Sequence, residues 1–220
     1  MSDNKFKNFA VLTLDIHSVE VKESKKGGQY AVAQATLPMG EGKPALPFRV
    51  IVNNGLVKVL KAETSKTLVG HIGYEEKDGK PIYLFFPYKF EDSDKPRNFA
   101  QLTLRCGVEA ECRYTDAGAF WGHSRMALGM GKDEKGEYKP SLWLTVKAFS
   151  RDGDETLPQK LAAIAKGSLV NVSGRLTYEI YKDKGYTSLI ASKITDFEGG
   201  DGETQSEDQA EKEFEEPNFG

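Results

Sequence analysis

Hydrophobic and polar residues alternate along much of the first half of the chain, which is the pattern of β-strands that bury one face. The alternation predicts strands at 9–21, 30–37 and 48–52 and a hairpin of 66–74 with 81–86. Between the third strand and the hairpin, the apolar residues of 56–60 have helical spacing and follow Asn53-Asn54, a plausible helix start. The first half is therefore predicted as three strands, a short helix and two strands.

The second half repeats this order of elements. Strands are predicted at 99–114, 120–128, 142–149, 169–181 and 186–197. A short helix begins near Pro158 and ends before Gly167, with Leu157, Leu161 and Ile164 at helical spacing. Gly107 lies inside the long first strand, where it is typical of a bend or bulge.

Repeated phrases explain the shared order. Residues 8–14, Asn-Phe-Ala-Val-Leu-Thr-Leu, return at 98–104 with six of seven residues identical. A second match pairs Leu68-Val69, ahead of Gly73, with Leu169-Val170, ahead of Gly174. A period near one hundred residues suits a duplicated small domain. The predicted organisation is a divergent first domain at 1–90, a linker at 91–97, a second domain at 98–198 and a tail at 199–220.

Five strands with a short helix between the third and the fourth are the order of a five-stranded Greek-key barrel, the oligonucleotide/oligosaccharide-binding (OB) fold. A long, bent first strand fits, because it must serve both sides of the barrel. An immunoglobulin-like sandwich is the competing all-β interpretation, but it needs no central helix and usually has seven strands. The fold prediction is all-β: two tandem OB-fold barrels, each with one short helix, and a disordered acidic tail.

Composition is ordinary for a soluble globular protein, with 39% hydrophobic and 29% charged residues in 220. The chain has no apolar run of membrane-spanning length and no segment fit for a signal peptide. Its two cysteines do not make a disulfide scaffold. We expect a cytoplasmic protein without membrane contact.

Charge is segregated along the chain. The overall net charge is −3, and since residues 199–220 contribute −7, residues 1–198 carry +4. An acidic tail on a basic body is often an interaction tail that imitates a polyanion. A solubilising disordered end is the alternative, which the composition supports equally.

Residues 98–197 resemble the bacterial single-stranded-DNA-binding protein family. Four motifs carry the resemblance in the family's order: Asn98-Phe99-x-x-Leu102, Glu111-x-Arg113-Tyr114-Thr115, Trp143-x-x-Val146-x-x-Phe149, and 166–176, Lys-Gly-Ser-Leu-Val-x-Val-x-Gly-Arg-Leu. The first half shares only the repeated phrases, so its assignment depends on the duplication. The resemblance implies sequence-independent binding and protection of single-stranded DNA in replication, recombination and repair. Because family members work as sets of four barrels, it also implies a homodimer, and closed twofold symmetry is the commonest choice of oligomers.

Binding of single strands needs flat side chains on which bases stack and a positive groove along the backbone. Trp143, Phe149 and Tyr181 match the family's stacking aromatics, and Trp121 is a further candidate. Arginine can stack on bases and can bind a phosphate through two parallel hydrogen bonds, so the arginine candidates rank above the lysines. These basic candidates are Arg113, Arg125, Arg175, Lys132, Lys147 and Lys182. The alternatives are core or interface packing for the aromatics and an ordinary charged surface for the basic residues.

Two further expectations concern aromatics and the tail. Weaker stacking candidates in the first barrel are Tyr30, Phe48, Tyr83, Phe86 and Tyr88. The family's acidic tip, which docks other DNA-metabolism proteins, is matched here by Phe214, Glu215, Glu216, Pro217 and Phe219. The tip departs from the family because Gly220 follows the phenylalanine, so Phe219 lacks a terminal carboxylate.

The sequence offers no recognisable catalytic motif. Its histidines and cysteines lack zinc-ligand spacing, Gly129-Met130-Gly131-Lys132 lacks the rest of a phosphate loop, and there is no nucleophile elbow. We therefore expect no enzyme activity, no metal and no cofactor. Three alternatives stay open: an OB-fold primosome or recombination accessory protein whose main ligand is a protein, an RNA-binding protein, and a nuclease.

Overall fold

The computed structural model describes residues 6–23, 28–77, 80–133 and 135–197. The first half contains β1 (Asn8–Glu23), β2 (Gln29–Leu37), β3 (Leu46–Asn53), β4 (Thr64–Lys77) and β5 (Lys80–Glu91). The second half contains β6 (Asn98–Cys106), β7 (Glu111–Tyr114), β8 (Phe120–Leu128), β9 (Leu142–Phe149), α1 (Thr156–Ala162), β10 (Leu169–Tyr181) and β11 (Lys184–Asp196). The strand pattern predicted from alternation is confirmed.

Each half closes into a five-stranded barrel. In the first, β1 pairs with β2 and β4, β2 with β3, β3 in parallel with β5, and β5 with β4. In the second, β6 and β7 take the place of one bent strand, and the circuit runs through β8, β9, β11 and β10 back to β6. The break between β6 and β7 begins at Gly107, where the sequence predicts a bend. Both circuits have the strand order of the OB fold, and the sandwich alternative is wrong.

The interiors follow from alternation. Every second residue is buried from Ala10 to Ile16 in β1 and from Ala100 to Cys106 in β6, and Leu12, Leu14, Leu102 and Leu104 are fully buried. Such runs of alternating apolar residues line both barrels with a continuous core.

The two barrels are joined by pairing of β1 with β6. The pairs Asn8–Leu102, Ala10–Ala100 and Leu12–Asn98 are antiparallel and centred on the two alanines. The repeated phrase therefore lies across a local pseudo-twofold axis. The side-chain amide of Asn8 donates a hydrogen bond to the Ile72 carbonyl and accepts one from the Ile72 N–H. Asn98 makes the same two hydrogen bonds to Leu176. The duplication is thus visible in hydrogen bonds as well as in sequence.

The strand pairing corrects the residue match predicted for the second repeated phrase. Ala10 pairs with Gly70 and Ala100 with Gly174, so Gly70, and not Gly73, is the counterpart of Gly174. Both glycines lie at a β-bulge, after Val69 and after Ser173. At both, a Cβ would press on the backbone of the neighbouring strand, which is why glycine occupies both positions.

The prediction of a short helix around 56–60 in the first barrel is wrong. A single 3₁₀ turn, Asn54–Leu56, stands there, because Gly55 and the β-branched Val57 and Val59 favour helix poorly. The predicted helix of the second barrel is present as α1. No helix among the described residues is long and apolar enough to cross a membrane. The predicted disordered tail, residues 199–220, lies outside the described ranges.

Candidate nucleic-acid interface

The outer surface of β7, β8 and β9 gathers most of the predicted site residues, and we call it the aromatic wall. In β8 the buried residues are 122, 124, 126 and 128, so the side chains at 121, 123 and 125 point outward. Direct cross-strand pairs place Phe149 beside Trp121, Lys147 beside His123 and Trp143 beside Ala127. Arg113 of β7 pairs with Trp121. The wall is thus Arg113, Trp121, His123, Arg125, Trp143, Lys147 and Phe149.

Trp121 is the centre of a ring cluster at one end of the wall. Its ring lies parallel to that of Phe149, with centroids 5.7 Å apart and 11° between the planes. The His123 ring stacks at 5.3 Å, and the Arg113 guanidinium carbon lies 4.8 Å from the Trp121 centroid. Because Trp121 is half-buried while Phe149 is 37% exposed, Trp121 supports Phe149, whose ring is the more accessible.

Trp143 presents the second accessible ring, also 37% exposed. Its six-membered ring lies over Gly107, at the break between β6 and β7, where a Cβ would come within 2.8 Å of Trp143 Cη2. The guanidinium carbon of Arg125 is 6.0 Å from its centroid. Burial lowers the pKa of Arg125, so this cation is partly withdrawn from water, where its attraction to an anion is less screened.

Two acids accompany the cations of the wall. Lys147 Nζ lies 3.6 Å from Glu179 Oε1, and His123 Nε2 lies 3.9 Å from Glu111 Oε2. Burial is the main cause that lowers the pKa of His123; Arg113 and Lys147 lower it further, and Glu111 opposes them. A phosphate that approaches the wall would therefore compete with Glu179 for Lys147 and with Glu111 for His123.

Two more predicted residues lie at the end of the β10–β11 hairpin. Lys182 and Asp183 form the turn with positive φ angles of 48° and 62°, and Tyr181 precedes them. Lys182 Nζ lies 5.2 Å from the Tyr181 centroid. This hairpin end therefore offers an aromatic ring and a cation side by side.

Lys132 lies in the loop between β8 and β9, where it forms a bridge with Tyr138. Its Nζ is 4.7 Å from the Tyr138 centroid, and Tyr138 is 49% exposed. Tyr138 was not among the candidates predicted from the sequence. The missed signal is the spacing of 132 and 138 around Gly136, which has a positive φ of 83° and turns the loop back on itself.

Arg175 lies elsewhere. It is exposed, pairs with Ile190 of β11 and follows Gly174, which pairs with Ala100. Arg175 therefore belongs to the sheet that joins the barrels, two strands from Lys147. The structure does not bring it into the aromatic wall.

The first-barrel aromatics divide into two groups. Phe48 and Tyr83 are buried in the core, so a stacking role for them is wrong. Tyr30 is half-buried in β2, Tyr88 is exposed in β5, and Phe86 stacks on His71 with centroids 5.0 Å apart. Sequence interpretation could not separate these groups because strand register decides which face each ring takes.

The described residues contain no cluster of three His, Cys, Asp or Glu side chains that could hold a metal ion. Cys106 and Cys112 are free thiols, and burial raises the pKa of both. The predicted partner-binding residues, Phe214, Glu215, Glu216, Pro217 and Phe219, lie outside the described ranges.

The fold has solved counterparts. The wild-type single-stranded DNA binding protein from Thermus aquaticus is 16% identical and aligns over 92% of this chain and 96% of its own, with a TM-score of 0.55. A deletion mutant of that protein is 18% identical, with coverage of 93% and 98% and a TM-score of 0.54. PriB from Ralstonia solanacearum aligns over 46% of this chain and 98% of its own, at 20% identity and a TM-score of 0.34.

No protein-family model matches the chain. No curated protein sequence matches it significantly. The likeness to the Thermus aquaticus protein extends over both barrels and shows that the chain has the fold of that protein, as the resemblance predicts.

Proposed function

We propose that this protein binds single-stranded DNA without sequence preference. The observation that carries the proposal is the aromatic wall, where the accessible rings of Trp143 and Phe149 stand among Arg113, Arg125 and Lys147 on one barrel surface. Every base has a π-face, so stacking on such rings tolerates any sequence, while the cations neutralise the backbone. The known ligand of the Thermus aquaticus protein, stated in its name, supports the same assignment.

Competition binding tests this function. Fluorescence anisotropy of a labelled oligo-dT should show binding that unlabelled single strands displace and an equal length of duplex DNA does not. Affinity should fall as salt rises, because neutralising phosphates releases condensed counterions. Stronger displacement by duplex DNA than by single-stranded DNA would reject the proposal, and so would no displacement by any nucleic acid. Stronger displacement by RNA than by DNA would point to an RNA ligand.

The cellular role follows from this binding mode. We propose that the protein coats and protects single strands during replication, recombination and repair in the cytoplasm, without catalysis of its own. The acidic residues 199–220 would recruit DNA-metabolism proteins. A protein-directed accessory role predicts the reverse balance, with weak DNA binding and tight binding of one protein partner.

We further propose a homodimer, which supplies four barrels. Its interface is the outer face of the six strands β5, β4, β1, β6, β10 and β11, the joining sheet. The Phe9 and Phe99 rings meet edge to face at its centre, 6.4 Å apart, and Phe99 is 38% exposed. Six strands spaced about 4.8 Å give a width of about 29 Å, which suits an interface of about 800 Å² per partner. A twofold axis between the copies would bring the same face of each chain together, which makes the contact self-complementary.

Charge at the centre of the joining sheet should separate the two copies. The double substitution Phe9→Asp and Phe99→Asp is expected to convert a dimer to a monomer, because four carboxylates would have to be desolvated against each other. Light scattering coupled to size exclusion measures the mass, with Tyr138→Asp, exposed in the loop between β8 and β9 and outside this face, as the control. A dimer that persists in the double variant would exclude this face.

His123 should make DNA binding pH-dependent. Burial holds the pKa of the free His123 below its ordinary value of 6.5, and a bound phosphate would raise it. Binding then takes up a proton, so affinity should rise as pH falls through the pKa of the bound form and level off below the pKa of the free form, which is under 6.5. The slope of affinity against pH measures this uptake, and His123→Gln should flatten it. An equal slope in the variant would assign the proton to another group.

Gly107 should position Trp143. A methyl group in Gly107→Ala must displace the Trp143 ring, which lies against it, and we expect single-strand affinity to fall about 3- to 10-fold, part of the value of one stacked base. Gly129→Ala is the control, because a Cβ at Gly129 meets nothing within 4 Å. Both are measured by the same titration, with tryptophan emission as a report on the ring. Equal affinities of the two variants would exclude this role of Gly107.

A further inference from the structure

We infer that single-stranded DNA follows the second barrel alone in each chain, and that the first barrel supports the assembly without stacking bases. This inference rests on the proposed function. It concerns the path of the DNA along the chain. It predicts that one chain, although it has two barrels, binds only as many nucleotides as one barrel. Register, ring content and charge of the two barrels carry it.

Strand register gives the counterpart of each wall residue. Gly70 and Gly174 are equivalent, since they pair with Ala10 and Ala100. Two residues on, Ile72 pairs with Phe85 and Leu176 with Leu189. Phe85 pairs with Val50 of β3, and Leu189 pairs with Val146 of β9. Val50 is therefore the counterpart of Val146, and β3 aligns with β9 without a gap.

The accessible rings have no aromatic counterparts. Trp143 corresponds to Pro47, and Phe149 corresponds to Asn53. Asn53 pairs with Tyr30 as Phe149 pairs with Trp121. The first barrel thus keeps one ring, Tyr30, at the position of the half-buried support, and lacks both rings that the second barrel presents. Two stacking platforms account for about 2–6 kcal/mol of binding, so their loss removes most base affinity.

Three of the four polar residues of the wall are replaced as well. The same alignment sets Val32 at the position of His123, Gln34 at that of Arg125 and Ile51 at that of Lys147. Arg125 and Lys147 thus have uncharged counterparts, while Lys22 holds the position of Arg113, because it pairs with Tyr30 as Arg113 pairs with Trp121. Arg49 adds a cation beside Gln34. Lys22 is held by Glu20 at 3.0 Å.

The loops beside the walls differ in the same direction. In the second barrel the loop between β8 and β9 carries Lys132, Lys135, Lys139 and the exposed Tyr138. In the first barrel the shorter loop at 38–45 carries Lys43 as its one basic residue. Acids balance the lysines in both loops, with Asp133, Glu134 and Glu137 in the second barrel and Glu41 in the first, so the loops differ in their exposed ring and not in net charge. The accessible rings, together with Arg125 and Lys147, are therefore concentrated on one barrel.

Paired double variants of the full chain test the inference. Trp143→Ala with Phe149→Ala should weaken oligo-dT binding by at least about 30-fold, from about 1 kcal/mol for each ring. The matched first-barrel variant, Tyr30→Ala with Arg49→Ala, should stay within about twofold of the unmodified protein. Circular dichroism checks that both variants are folded. Titration of long poly-dT should give a site of about 4–16 nucleotides per chain, the range of one OB fold.

The outcomes separate this inference from the proposed function. If the unmodified protein does not bind oligo-dT, both the proposed function and the proposed path of the DNA are wrong. If it binds and both double variants weaken binding equally, or neither does, the confinement to one barrel is wrong while the function stands. A large loss in the second-barrel variant alone establishes the path.

Discussion

Replacing Trp143 with alanine is expected to lower the affinity for single-stranded DNA about 5- to 150-fold, which corresponds to about 1–3 kcal/mol for one stacked base. The ring is 37% exposed and is seated on Gly107 next to Arg125, so its removal takes away a platform and leaves the core intact. Equilibrium titration of a labelled oligo-dT measures the change.

Trp143→Phe is the matched control for this prediction. A smaller ring retains part of the stacking surface, so its affinity should lie between those of the unmodified protein and Trp143→Ala. Thermal unfolding should change little in either variant, since the side chain is on the outer surface of β9. Unchanged affinity in Trp143→Ala would place this ring outside the DNA path and remove the main support for the wall.

Replacing Gly174 with alanine is expected to lower the free energy of unfolding by about 1–3 kcal/mol. The new Cβ would be 2.8 Å from the carbonyl carbon of Ile190 and 3.1 Å from Ala191 Cα, both in the backbone of β11. Backbone atoms cannot rotate away, so the bulge must open and the overpacking strain is large. Urea unfolding followed by circular dichroism measures the loss.

Gly55→Ala is the control for the bulge. A Cβ at Gly55 meets nothing within 4 Å, and the residue has no positive φ, so alanine there should be neutral or slightly stabilising. A loss below about 1 kcal/mol in Gly174→Ala would contradict the register of β10 against β11. That register also fixes the comparison of the two barrels.

The strands were predictable because each barrel buries one face of each strand. Leu12, Leu14, Leu102 and Leu104 alternate with polar residues. This period of two is expected wherever one face of a strand is buried and the other is exposed to solvent. Gly107 marked the bend for a related reason, since a residue without a side chain permits close approach. The 3₁₀ turn at Asn54–Leu56 was not predictable from spacing alone, because four apolar residues fit a helix or a packed loop.

The site was predictable in part. Trp143 and Phe149 were predicted from the family motif, and Trp121 and Lys147 from their residue types in predicted strands. Their meeting on one wall depends on cross-strand register, which local sequence does not contain. His123 was missed because a lone histidine in a strand carries no motif, and its role depends on Glu111 and Lys147 in two other strands. The three-residue offset between Gly73 and Gly70 in the repeat has the same origin.

Titration of intrinsic tryptophan fluorescence with oligo-dT tests the central claim most directly. The chain has two tryptophans, Trp121 and Trp143, and both lie on the aromatic wall, so emission reports on this surface alone. The account predicts strong quenching by single strands, little by duplex DNA of equal length, and a midpoint that moves to higher DNA concentration at higher salt. Binding of oligo-dT without any change in emission would contradict it, because the strand would then lie away from both rings.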